Sequence, residues 1–384
     1  MRGHIERRGQ KSWRLKFDIG TDPLTGKRQT RRVTVKGTKK NAEEELNRLL
    51  HEIGEGTFVD PSKLTVAEYL DQWLKDYARP NVAPKTAERW TEIVEKHLAE
   101  KWKALPLKNL KALHIQSYYT EALESGRRDG KGGLAPRTVH HHHRVLFQAL
   151  KQAVKWRIIP RNPVEDVDPP KVERKEIRAL TPEEVETLTE YTRKTRLRMP
   201  SILALTTGMR RGEVFAIRWL DIDLDGAALT VNQSLEQTKD GLRFKEPKSK
   251  RSRRRITLSP LTVEALRRHK VAQMKERMAL GLGRNDAGLV FTTLEGGTIK
   301  PNIFTKEFQR IAKRAKLAGV SFHTLRHTHI TQLLRDGENV KVISERAGHS
   351  SVATTLDLYG HVLPGMQEAA ALKVDAAWGE ALSE

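Results

Sequence analysis

The sequence predicts a multidomain α+β chain: a small N-terminal three-stranded sheet with one helix, then an all-helical domain, then a mainly helical domain with a small antiparallel sheet. Three observations predict it. Period-two alternation is confined to the first 40 residues and to two runs between 228 and 258, and helical periodicity with helix caps fills most of the rest. The third is "IIPRNPVEDVDPPKVERKEIRAL" at 158–180, whose four prolines among mixed charges have the composition of a linker. With 384 residues, 38% of them hydrophobic, the chain has material for two or three domains of roughly 100 to 200 residues.

Taken in order, "SWRLKFDIG" alternates as a half-buried strand, "TDPLTGKR" supplies turn chemistry, and "QTRRVTVKG" resumes the alternation. In "AEEELNRLLHEIG" the residues Leu46, Leu49, Leu50 and Ile53 share one helical face, and Gly54 is a stop signal. "TVAEYLDQWLKDYA" opens the second domain, with Thr65 and Glu68 at capping-box spacing; helical patterns without a strand continue to about Trp156. "TPEEVETL" opens the last one, with Thr181 as N-cap, Pro182 at the first helical position and Glu184 at the third. These signals set the boundaries at 1–58, 63–160, a linker at 161–177, and 178–384.

The charge is lopsided. Lys and Arg number 70 against 48 Asp and Glu, a net +22 with a pI near 10.1, which points first to nucleic acid as partner. Thirteen Lys or Arg against three Asp or Glu fall in the first 40 residues, so the N-terminal sheet is expected to bind DNA, with Arg14, Lys16, Arg31 and Arg32 as candidate contacts. In "RTVHHHHRVLFQALKQAVKW" neighbouring side chains on a helix are about 100° apart, so His140 to His143 do not converge on a metal. That helix reads instead as basic and close to phosphates, through Arg137, His140 and Arg144. Zero cysteines exclude a disulfide framework and a Cys-based zinc site. "MRGHIERRGQ" has no signal-peptide character, and no apolar run reaches the roughly 18 residues of a membrane span. A cytoplasmic, DNA-associated protein without membrane or cofactor is expected.

Chemistry concentrates in the last domain. "TTGMRRGEVFAIRW" sets Arg210 three residues before Glu213, so one helical turn brings the carboxylate back to a guanidinium. "KEPKSKRSRRRITL" puts Lys248 and Lys250 between the β-like runs "ALTVNQSL" and "RRITL", as on a hairpin; Arg254 and its neighbours read as DNA-backbone contacts or strand-face charges. "HTLRH" places His323 and Arg326 on one helical face, and "AGHSSVATTLDLYGH" carries His349, Tyr359 and His361. His323 and His327 lack the intervening glutamate of a zinc-protease motif. His327 and His361 are given packing or hydrogen-bonding roles.

In these boxes the chain resembles the tyrosine recombinases, or phage integrase family, over essentially its whole length. "TGMRRGE" is similar to the family's first arginine box, "HTLRH" to its His-x-x-Arg box, "AGHSS" to its Gly-His element and "TTLDLYGH" to its nucleophile segment. The N-terminal domain resembles the arm-binding domain of integrases from phages and conjugative elements, and the helical domain their core-binding domain. The resemblance implies Arg210, Lys248, His323, Arg326 and His349 around the scissile phosphate, supported by Glu213 and His361, with Tyr359 attacking. It implies a 3′-phosphotyrosine, a free 5′-hydroxyl protonated by Lys248 (Lys250 being the alternative), and no need for metal or ATP. The implied partners are core and arm sites on double-stranded DNA in a bacterial host, a homotetramer on that DNA, a host DNA-bending protein and an excisionase. The C-terminal tail, with Leu372, Ala376 and Leu382 as contacts, is expected to dock on a neighbouring protomer. Three rival readings stand beside this one: a type IB topoisomerase with the same chemistry, a non-catalytic DNA-binding regulator of the same fold, and a metal-dependent nuclease.

Overall fold

The structure, a computed structural model, describes residues 3–21, 28–54, 64–173, 177–246, 253–283, 288–359 and 366–382. It divides into two compact units, Met1–Val172 and Glu173–Glu384.

The first unit begins with the antiparallel sheet β1 (Gly3–Gly9), β2 (Ser12–Thr21) and β3 (Arg28–Lys36), in that order, covered by α1 (Lys39–Gly54). Leu15 and Phe17 point from β2 into a cluster with Ala42, Leu46, Leu49 and Ile53, while Leu50 is only partly buried. Residues paired across strands share a face, so the pairs Lys16–Arg32 and Arg14–Thr34 put Arg14, Lys16 and Arg32 on the side away from α1. Arg31 pairs with Phe17 and lies on the opposite side, so the expected basic face holds three of its four members.

The helical part of this unit has a separate apolar cluster built on Tyr69, Trp73, Ile115, Tyr119, Leu146 and Leu150. α2 (Val66–Trp73) starts with the predicted capping box: Thr65 accepts from the Glu68 N–H, and Glu68 reaches back to the Thr65 N–H at 2.8 Å. It runs through a π-type turn into α3 (Arg79–Asn81), and α4 (Pro84–Ile93) runs likewise into α5 (Ala99–Lys101). α6 (Ala112–Ser125) and α7 (Pro136–Lys155) complete the bundle. The histidine run on α7 is divided by helical geometry. His142 is buried, its Nδ1 2.7 Å from the Tyr118 hydroxyl; His143 Nδ1 lies 2.9 Å from the Tyr119 hydroxyl; His141 is exposed. His140 is half-buried, which corrects its place among the outward contacts, whereas Arg137 and Arg144 are exposed as expected. The stretch read as linker from residue 161 is not free at its start. Val164 and Val167 are buried in the helical cluster, and Asn162 binds the Phe147 carbonyl and caps the Val164 N–H.

The second unit begins with α8 (Pro182–Thr192), capped as predicted by Thr181 and Glu184. α9 (Arg198–Thr207) and the short α10 (Arg211–Val214) follow. β4 (Ile222–Asp223), β5 (Ala228–Val231) and β8 (Arg254–Thr257) form one antiparallel sheet, and β6 (Ser234–Thr238) with β7 (Gly241–Lys245) forms a hairpin inserted between β5 and β8. This corrects the single hairpin expected between "ALTVNQSL" and "RRITL": the first run breaks at Asn232–Gln233 into β5 and β6, and β6 turns back at Lys239–Asp240 to pair with β7. Then come α11 (Pro260–Ala279), α12 (Pro301–Arg314), α13 (Phe322–Arg335), α14 (Val340–Ala347), α15 (Val352–Tyr359) and α16 (Met366–Leu382). The main core gathers Phe215, Phe291, Phe304, Phe308 and Phe322, and a satellite cluster joins Ile330, Leu334, Ile343, Ala347 and Tyr359. Among the described residues no helix is long and apolar enough to cross a membrane.

Candidate active site

Two helix C-termini build the site. The last carbonyls of an α-helix have no partner within it and carry the negative end of its dipole, so they attract cationic donors. α9 ends at Gly208 and α14 at Gly348, both left-handed, with φ of 67° and 66°. At the end of α9 the carbonyls of Leu205, Thr206 and Gly208 accept from His329 Nδ1 at 2.8 Å, Arg346 Nη2 at 2.9 Å and Arg326 Nη1 at 2.6 Å. At the end of α14 the carbonyls of Arg346, Ala347 and Gly348 accept from Arg254 Nε at 2.7 Å, Arg326 Nη1 at 2.7 Å and Arg210 Nη2 at 2.8 Å. Arg210 and Arg326 are thereby fixed side by side.

Glu213 supports them from beneath. Arg210 donates to it from Nη1 at 3.0 Å and from its backbone N–H at 2.9 Å, and Arg254 donates from Nη2 at 2.8 Å. Burial raises the carboxyl's pKa, but the bond and charge of Arg254, with the charge of Arg210, outweigh it and hold the group below its ordinary value. Arg254, expected as a DNA contact, is therefore an internal residue, 9% exposed and spent on Glu213 and the Arg346 carbonyl.

Arg326 is 2% exposed, and its Nη2 has no hydrogen-bond partner among the described residues. Burial, then the charge of Arg210, push its pKa down to about 9, which leaves it protonated near neutrality. His323, one turn back on α13, is exposed, and its pKa is lowered by the packing around it and by the charges of Arg326, Arg210 and Arg211. His349 follows Gly348; its Nδ1 meets the Thr355 hydroxyl at 2.8 Å, which fixes the ring. Burial and the charges of Arg326, Arg210 and Arg254 bring its pKa to about 4.

Tyr359 lies one turn beyond Thr355 on α15, so both side chains face inward, and the ring is 1% exposed. Its hydroxyl is 2.5 Å from Nδ1 of His327. Burial raises the phenol's pKa to about 12 against the opposing pull of Arg326, while burial with His323 and Arg326 lowers that of His327 to about 4. Near neutrality the phenol is protonated and the imidazole neutral. The imidazole's tautomer sets the direction of the bond: with its proton on Nε2, Nδ1 accepts from the hydroxyl.

The structure thus gathers Arg210, Glu213, His323, Arg326, His349 and Tyr359 in one unit, and adds Arg254, His327, His329 and Arg346. Lys248, Lys250 and His361 lie outside the described residues. The sequence held a signal for Arg254: in "RRITL" it alternates with Ile256 and Leu258, both buried, so period two turns it inward. It held none for the contact of His327 with Tyr359, 32 residues away. Among the described residues no group of three or more His, Cys, Asp or Glu is placed to hold a metal ion.

Residues 178–365 match the Phage integrase family, and residues 65–123 match the Phage integrase N-terminal SAM-like domain. A protein of Caldanaerobacter subterraneus subsp. tengcongensis, "Tyrosine recombinase XerC-like", is 28% identical over 375 residues, 93% of this chain and 94% of its own length. The Tn1549 transposon integrase, solved in complex with circular intermediate DNA, superposes with a TM-score of 0.66 at 20% identity, covering 81% of this chain and 99% of the other. A lambda integrase tetramer bound to a Holliday junction gives 0.57 at 19% identity, covering 90% and 95%. These two share the fold. With both matched segments, the full-length relative and the common fold in agreement, the chain belongs to the phage integrase family of tyrosine recombinases.

Proposed function

We propose that this DNA strand-transferring enzyme carries out site-specific recombination through attack of Tyr359 on a DNA phosphodiester held by Arg210 and Arg326. The supporting observation is the unpartnered Nη2 of Arg326, a cationic donor buried beside Arg210. Leaving a buried donor unmade costs about 1–3 kcal/mol, more for a charged group, so the arrangement favours an anion that accepts from it. A guanidinium stays charged and offers a planar fork suited to phosphate oxygens. Held in place by helix-end carbonyls, the two arginines need no reorganisation as charge builds on those oxygens, the condition under which electrostatic stabilisation is strongest. His323 and His349, both neutral near neutrality, supply hydrogen bonds to the phosphate without adding charge.

Attack by the phenol oxygen forms a 3′-phosphotyrosine and releases a 5′-hydroxyl, protonated by Lys248 or, in its place, Lys250. The ester is conserved in the covalent link, so rejoining to another strand uses neither ATP nor metal. In this reading residues 1–58 bind arm sites through Arg14, Lys16 and Arg32, and residues 63–160 bind core DNA with Arg137 and Arg144 towards the backbone. Linker and catalytic parts follow at 161–177 and 178–384. Four copies assemble on DNA in a bacterial cytoplasm, with a host DNA-bending protein and an excisionase as auxiliaries. The tail helix α16, whose Leu372, Val374 and Trp378 are exposed on the single chain, links neighbouring copies. Removing residues 365–384 is expected to abolish synapse assembly, and unchanged assembly refutes the link.

The test of the main reading uses a nicked duplex carrying the attachment sequence that flanks the gene. Wild type is expected to form a denaturant-resistant protein–DNA adduct; Tyr359→Phe should bind the duplex equally and form none. An adduct surviving in Tyr359→Phe overturns the assignment.

A further inference from the structure

We propose that His327 is a catalytic residue of strand transfer, the acceptor of the Tyr359 phenol proton. The inference rests on Tyr359 being the nucleophile, and it is carried by geometry. Nδ1 of His327 is 2.5 Å from the phenol oxygen, whose ring is almost wholly buried in the satellite cluster of Ile330, Ile343 and Ala347. A base acts only within hydrogen-bond reach of the proton it takes. The two histidines of the sequence motifs have other geometry: Nδ1 of His349 is engaged by Thr355, and His323 meets the edge of the His327 ring, with centroids 4.6 Å apart at 85°.

The groups around His327 set when the proton moves. On its own helix stand Arg326 and His323; from the segment after α14 comes His349, and from α15 Tyr359 itself. Arg326 disfavours an imidazolium while the site is empty of anion, so the proton stays on the phenol. A phosphodiester on the arginines offsets that charge. The phenol oxygen then forms its bond to phosphorus as its O–H bond breaks, and the proton passes to Nδ1. The bond from phosphorus to the 5′ sugar oxygen breaks with its electron pair, and that oxygen takes a proton from the separate donor proposed above, Lys248. In rejoining, an incoming 5′-hydroxyl returns its proton to that donor and attacks phosphorus, and His327 gives its proton back to the departing phenolate.

The experiment compares wild type, His327→Asn and His327→Ala in single-turnover adduct formation on the nicked duplex, and on the same duplex with sulfur in place of the scissile 5′ oxygen. Asparagine's amide oxygen can accept the phenol's hydrogen bond but cannot take the proton; the sulfur leaving group needs no acid. Expected for both variants is a loss of at least about 100-fold near neutral pH on either duplex, with a rate that climbs about tenfold per pH unit as hydroxide replaces the base. Wild type should be flat over the same range, and Lys248→Ala should recover on the sulfur duplex alone. His327→Asn within about threefold of wild type, or restored by sulfur, overturns the proposal, because a base is expected to contribute at least about 100-fold. A variant that does not fold leaves a second reading in the intact protein: nitrogen-15 shifts of His327 must show the proton on Nε2, and a protonated Nδ1 overturns the assignment. Failure of the parent reading looks different, since Tyr359→Phe would then still form the adduct.

Discussion

Replacing Arg254 with methionine keeps an unbranched, apolar stem and removes the guanidinium with its hydrogen bonds to Glu213, at 2.8 and 3.3 Å, and to the Arg346 carbonyl, at 2.7 Å. Both partners are buried, with side chains 6% and 8% exposed, so solvent screens the pair little. Removing one member of such a pair costs about 3–5 kcal/mol, because the other charge is left buried. Glu213 keeps Arg210 and a backbone N–H, which places the expected loss near the lower end, about 3 kcal/mol at neutral pH. The sign with pH follows from linkage. In wild type the Glu213 pKa lies below 4.5, so its contribution is present above that pH and fades as pH falls through the lowered value. In Arg254→Met burial prevails, the pKa rises, and protonation relieves the strain on acidification. The gap between the two proteins should therefore narrow as pH falls from the variant's raised value, above 4.5, to the lowered value of the wild type. Because two units need not unfold together, the measurement is native-state hydrogen exchange in β8 and α14 against urea. A gap under about 1 kcal/mol at neutral pH, or one that does not shrink in acid, refutes the role given to Arg254.

Two further predictions concern other positions. At Gly348 (φ 66°) a Cβ would lie 2.7 Å from Nη1 of Arg254, whereas at Gly130 (φ 70°) it meets nothing within 4 Å. Gly130→Ala should cost about 1–2 kcal/mol for the left-handed backbone alone, and Gly348→Ala more, with slower adduct formation as well; equal melting shifts refute the clash. Burial brings the His142 pKa to about 3, so between pH 6.5 and that value the unfolded chain binds a proton that the folded chain refuses. Stability of the first unit should fall with acid across this window, and His142→Phe should shallow the slope by up to about 1.4 kcal/mol per pH unit, measured by urea titration at several pH values; an unchanged slope refutes it.

How much was legible in the sequence followed from the range of each signal. Caps act within one turn, so Thr65 with Glu68 and Thr181 with Glu184 were readable and are formed. The spacing of His323 and Arg326 is local too, and it placed them on one helix face. Arg254 was readable in principle, but its charge drew attention from its period. The inserted β6–β7 hairpin carries its turn signal in Asp240–Gly241, a single short dipeptide amid a longer basic run. The pairings Tyr118–His142, Tyr119–His143 and His327–Tyr359 were not readable, because each depends on how two helices pack.

The charge balance of the site follows from the same packing. Arg210, Arg254 and Arg326 stand against one buried carboxylate, Glu213; burial and nearby cations hold His327 and His349 neutral, and the pKa of the exposed His323 is lowered as well. With Arg346 and Arg211 close by as well, positive charge outnumbers the one carboxylate. In the proposed reaction a bound phosphodiester brings one negative charge; when a phenol that has shed its proton adds to phosphorus, a second appears. The positive site thus interacts more strongly with the doubly charged transition state than with the singly charged ground state, and only that difference accelerates the chemistry. In the proposed reaction the proton's destination matters for the same reason: left on the phenol it would cancel the second charge, and taken up by His327 it leaves that charge on the phosphate oxygens in front of Arg210 and Arg326.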